Sequence, residues 1–89
     1  MRRITLSITN RLGLHARAAA KLVHTAGGFQ SRVTVVKDGE EVDAKSILGI
    51  LLLAAGQGSQ ITVRCDGQDE EEALRAVTAL IANRFDEDS

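Results

Sequence analysis

Eighty-nine residues, 44% of them apolar, suffice for one small domain with one core and are too few for two. A formal charge of -1, one cysteine and two phenylalanines exclude a uniformly basic nucleic-acid binder, an internal disulfide framework and an aromatic platform for stacking bases. The charge is nonetheless uneven, since residues 1–37 hold seven basic residues and no acid whereas residues 38–89 hold all twelve acids. A positive first half suits an acidic or phosphorylated partner, although a solvated charge pattern accounts for it equally well.

Ile4, Leu6 and Ile8 alternate with polar residues from Arg3 to Thr9, the period of two expected of a strand with one buried face. The start therefore does not read as a secretory leader. Next comes Asn10-Arg11-Leu12-Gly13-Leu14-His15-Ala16-Arg17, in which a glycine-containing turn leads into an alanine-rich run of high helical propensity. His15 is thus placed at a helix mouth, where unpaired amides and the macrodipole attract anions, and Arg17 adds a planar cation suited to phosphoryl oxygens. These positive surroundings are expected to keep His15 neutral and hence nucleophilic. A turn or capping histidine is an equal reading of the same residues.

Along the helix Ala19, Leu22, Val23 and Ala26 form one stripe, which leaves Arg17, Ala20, Lys21 and His24 on a partner-facing side continuous with His15. Gly27 and Gly28 stop it. A second strand spans Phe29 to Val36, Asp38-Gly39 is a tight-hairpin signal, and a third strand follows at Glu41 to Ala44. Ser46 reads as the N-cap of a short helix, Ile47 to Ala54, which is apolar nearly all round. Ile47, Ile50, Leu53 and Ala54 are expected inward, leaving Leu48, Gly49, Leu51 and Leu52 as either a docking patch or further core.

Ile61, Val63 and Cys65 alternate in a fourth strand, with Cys65 inward as a small hydrophobe. Asp69 with Glu72 reads as a capping start for a third helix, striped by Leu74, Val77, Leu80 and Ile81, and Asp86 to Ser89 are expected to fray. The order is βαββαβα, an α+β two-layer sandwich over residues 1–89. No motif for a metal, a catalytic triad or a dinucleotide appears. The longest apolar run, interrupted by Gly49, is too short to cross a bilayer, so a soluble cytoplasmic protein is expected.

Gly13-Leu14-His15-Ala16-Arg17 resembles the active-site motif of the HPr family, the histidine-containing phosphocarriers of the bacterial phosphoenolpyruvate:sugar phosphotransferase system. Ala44-Lys45-Ser46-Ile47 matches the family's regulatory-serine position, and length and element order extend the resemblance over essentially the whole chain. It implies an open-faced β-sandwich, a four-stranded antiparallel sheet in the order 1-4-2-3 with three helices on one face. It implies that enzyme I phosphorylates His15 at Nδ1 and that His15 passes the group to an enzyme IIA histidine. Arg17 would steady the phosphoryl group, with the backbone of Ala16 and Arg17 in contact with it. Ala20, Lys21, His24, Ile47, Leu48, Gly49, Leu51 and Leu52 would form the docking surface of a monomer that needs no cofactor or metal.

Ser46 resembles the serine that HPr kinase/phosphorylase modifies in some bacteria, a plain N-cap being the equal alternative. Ala18 stands where the family usually has proline, a change expected to cost below about 1 kcal/mol of rigidity. The ending from Glu70 to Asp88 resembles the nitrogen-related branch, NPr. A different class remains open from the residues alone: a small ferredoxin-like module whose helix mouth binds an anionic metabolite.

Overall fold

The computed structural model describes residues 1–87. Its order is β1 (Arg2–Ser7), α1 (Ala16–Gly27), β2 (Arg32–Lys37), β3 (Glu40–Asp43), α2 (Ile47–Leu52), β4 (Gln60–Asp66) and α3 (Glu70–Ala82), followed by a single turn at Arg84–Asp86. All pairings are antiparallel, and the sheet runs β1-β4-β2-β3 with three helices, an open sandwich as expected.

Register explains where the core sits. Ile4, Val63, Val35 and Val42 stand opposite one another in a row across the sheet. Val63 and Val35, on the central strands, are fully buried, whereas Ile4 on the β1 edge is 38% exposed and Val42 on the β3 edge is half-buried. The strand expected to have one buried face is thus covered only towards its end, where Leu6 is half-buried and Ile8, just beyond β1, is fully buried. The other sheet face is polar: Thr5 and Thr62 hydroxyls pair at 2.8 Å, and Glu41 accepts from Thr34 Oγ1 at 2.7 Å and Arg64 at 3.2 Å.

Helix faces follow the 3.6-residue period, with Ala18, Ala19, Leu22 and Ala26 buried on α1 and Ala73, Val77 and Ile81 on α3. The small residues Ala18 and Ala73 are fully buried, and Leu74 and Leu80 are half-buried. Asp38 and Gly39 both have positive φ (52° and 81°), the geometry of a two-residue hairpin turn whose twist matches the strands.

Several boundaries move for physical reasons. β2 starts at Arg32 rather than Phe29 because the Phe29 amide bonds to Ala26 O and the Gln30 and Ser31 amides bond to Asp69. Those bonds also overturn the capping role of Asp69, which sits at the start of α3 but makes no side-chain bond to it. α2 stops at Leu52, and the positive φ of Ala54 (50°) turns that residue outward. Ile50 and Leu53 carry α2 into the core while Ile47 is 44% exposed, contrary to its expected inward place.

The expected fraying of the last residues fails at Asp86 and Glu87, and Asp88 and Ser89 lie outside the described residues. Arg84, Phe85 and Asp86 have successive positive φ values (56°, 54° and 62°), which turn the chain back and seal the Phe85 side chain in the core.

Candidate functional site

Three hydrogen bonds lock the loop before α1. Asn10, wholly buried, donates from Nδ2 to Gly13 O at 2.8 Å, and the Gly13 amide returns to Asn10 O at 3.2 Å. Leu14 N donates to Ala55 O at 2.9 Å, tying the loop to the α2–β4 connection. Gly13 has φ +64°, and a Cβ there would stand 2.4 Å from Ala55 O, so both backbone conformation and space demand glycine.

This loop delivers His15 as the N-cap of α1, in extended backbone conformation (φ -73°, ψ 177°). The Arg17 amide donates to its Nδ1 at 3.3 Å. A ring nitrogen that accepts a hydrogen bond carries a free lone pair, so the neutral ring bears its proton on Nε2. Nε2 lies 2.5 Å from Glu87 Oε2.

Glu87 is a neighbour of His15 that the sequence did not disclose. Its other oxygen, Oε1, accepts from Asn10 Nδ2 at 3.0 Å, so Asn10 joins the loop to the acid. Lys21 Nζ donates to Phe85 O at 2.7 Å and holds the same segment two residues earlier. Burial alone would raise the Glu87 carboxyl pKa, but the hydrogen bonds from Asn10 and His15 and the electrostatic pull of His15 and Lys21 bring it below the ordinary carboxylate value. The ring therefore does not have the purely positive surroundings its sequence neighbours imply: the Arg17 amide lies at one edge, a carboxylate at the other. A signal was present in Phe85, four residues beyond Ile81 and so in register with the apolar stripe of α3.

Arg17, Ala20 and His24 are exposed on α1, while Lys21 is half-buried because its ammonium reaches the Phe85 carbonyl. Arg17, Ala20, Lys21, His24, Leu80 and Asp86 line a shallow groove of about 400 Å³ along α1. Ser46 caps α2, accepting from Gly49 N at 3.1 Å, and is half-buried. Leu48 and Leu52 are each 74% exposed beside exposed Ile47, and Gly49 and Leu51 are half-buried, Leu51 packing on the core. Leu12, in the His15 loop, is a further exposed apolar residue. The backbone of Ala16 and Arg17 opens the helix directly after His15.

A fold of this order with a histidine capping its first helix defines a class, and comparison with known proteins identifies it. The family model described as PTS HPr component phosphorylation site matches residues 2–83. The chain is 57% identical over 84 residues to Phosphocarrier protein HPr of Xylella fastidiosa, covering 94% of each chain. It is 45% identical to Phosphocarrier protein NPr of Shewanella violacea, covering 94% of this chain and 92% of that one. The crystal structure of HPr-C-His from Thermoanaerobacter tengcongensis superposes with a TM-score of 0.97 at 45% identity, covering 100% of both chains. The chain belongs to the HPr family of phosphocarrier proteins of the phosphotransferase system.

Proposed function

We propose that His15 is the carrier residue: it takes a phosphoryl group from enzyme I, charged by phosphoenolpyruvate, and gives it to a histidine of an enzyme IIA domain. The observation that supports this most is the Nδ1 lone pair aimed along the first-turn amide of Arg17. Nδ1 attacks the phosphorus of the donor phosphohistidine. One N–P bond forms at His15, the donor N–P bond breaks, and its electron pair returns to the donor nitrogen. The amides of Ala16 and Arg17, the positive end of α1 and the Arg17 guanidinium then face the new dianion. Held by partial charges rather than by a buried pocket, the group stays accessible to the next protein.

The docking surface in this reading combines Ala20, Lys21 and His24 on α1 with Ile47, Leu48, Gly49, Leu51 and Leu52 on α2. These two helices pack against one another, so one partner can cover both. Phosphate on Ser46, placed by an HPr kinase/phosphorylase, would bring about two negative charges to that surface and hinder an acidic partner. The working unit is a cytoplasmic monomer, and no helix among the described residues is long and apolar enough to cross a membrane.

The test is incubation with enzyme I and phosphoenolpyruvate. An acid-labile adduct that disappears in His15→Ala is the expected result, and reversible anion binding with no adduct would replace the carrier by a metabolite-binding module. Which enzyme IIA domain then accepts the group separates sugar uptake from nitrogen-related regulation.

A further inference from the structure

We infer that Glu87 is a positioning residue for phosphoryl transfer, its carboxylate holding the Nε2 proton of His15 and balancing the charge that the ring acquires. The inference rests on the reading of His15 as the carrier.

Three observations converge on it. Glu87 Oε2 is 2.5 Å from Nε2, on the ring edge away from Nδ1, and Oε1 is fixed at 3.0 Å by Asn10, whose side chain is fully buried. Asn10 cannot turn its amide over, because Nδ2 faces two acceptors, Gly13 O and Glu87 Oε1. The backbone bringing Glu87 there is held at Phe85 by a buried ring and by Lys21 Nζ on the carbonyl at 2.7 Å.

The chemistry gives the arrangement a task. In the neutral tautomer that these two contacts select, the proton is on Nε2 and the lone pair on Nδ1. When Nδ1 bonds to phosphorus no proton leaves, so the ring becomes a cation carrying both the phosphoryl group and the Nε2 proton. A carboxylate already seated at Nε2 offsets that charge as it develops, without reorganisation. On transfer to the next acceptor the N–P electron pair returns to Nδ1 and the ring is neutral again. The same hydrogen bond restricts rotation of the ring, so the lone pair stays aimed where the amides await the phosphoryl oxygens.

The test compares Glu87→Ala and Glu87→Gln with the unaltered chain in charging by enzyme I. The alanine variant should lower kcat by roughly threefold to tenfold and leave KM within about twofold, because the contact strengthens in the transition state rather than on docking. Glutamine keeps an acceptor for the Nε2 proton but no charge, so its kcat should fall between the two. In parallel, carbon NMR of the Glu87 carboxyl should show its titration moving up in His15→Ala. Wild-type kcat in both variants, a change confined to KM, or a Glu87 titration unaltered in His15→Ala would each overturn the inference. If the unaltered chain takes no acid-labile phosphoryl group, the reading of His15 fails and this inference with it. If that chain is charged normally and the variants match it, only the role of Glu87 fails.

Discussion

Ser31 donates its hydroxyl to Asp69 Oδ1 at 2.5 Å and its amide to the same oxygen at 2.9 Å, so the acid at the start of α3 secures the entry to β2. The Ser31 hydroxyl, then the Gln30 amide, hold the Asp69 carboxyl below its ordinary pKa against the opposing effect of burial. A carboxylate depressed on folding adds stability above its unfolded pKa of about 3.9 and loses it as pH falls through the lower folded value. Glu41, Glu70 and Glu87 are shifted in the same direction. Urea midpoints should therefore be level above about pH 5 and decline below about pH 4, and Asp69→Asn should be less stable at neutral pH with a shallower acid decline.

Gly13→Ala should be among the more damaging single-methyl additions to this chain. The methyl would meet backbone, Ala55 O and Gly56 Cα at 2.4 and 2.7 Å, in a conformation that alanine resists. A loss of about 2 to 3 kcal/mol in denaturant unfolding is expected. Charging by enzyme I should fall further than stability does, because the same loop sets the His15 backbone.

Leu48→Ser and Leu52→Ser separate docking from folding. Each side chain is 74% exposed, so stability should change by less than about 0.5 kcal/mol. If the patch is a docking surface, KM for charging rises roughly tenfold with kcat nearly unchanged, as for loss of binding common to ground and transition states. Ser46→Asp should likewise raise KM, more at low salt than at high salt, since the added charge acts through solvent. Equal KM values for all three variants would remove α2 from the interface.

Cys65 should resist thiol reagents until the chain unfolds. Burial first, then the nearby charges of Glu70 and Asp69, push its thiol pKa up, which suppresses the reactive thiolate. Cys65→Ser should cost about 1 to 3 kcal/mol by placing a hydroxyl on the inner face of β4, measurable as a lower thermal midpoint.

What could be read from the sequence was local. The alternation of Ile61, Val63 and Cys65 appears unchanged as the buried face of β4, Asp38-Gly39 makes its hairpin, and Ser46 caps its helix, because each depends on neighbours within a few residues. Asp69 and Glu87 defeated the same reasoning. Their partners lie 38 and 72 residues away, and nothing in a capping pattern or an acidic run says that a carboxylate will leave its own helix for a distant amide or imidazole. Ile47 was misplaced because an all-apolar helix has no contrast from which to choose an inward side; packing on Ile50 and Leu53 decided it. The place of His15 at the mouth of α1, with Arg17 in its first turn, was legible because a turn and then a helix start are written in consecutive letters.

The left-handed turn at Arg84–Asp86 also acts as a measuring device. Phe85 is pinned at both ends, by its sealed ring and by its lysine-bound carbonyl, and only Asp86 separates it from the acid that reaches the imidazole. One residue more or fewer in that span would displace the acid by up to about 3.5 Å, beyond hydrogen-bonding reach. Spacing, rather than the mere presence of negative charge, is thus what the clasp must keep, and a tail equally acidic but out of step would leave the carrier's ring unattended.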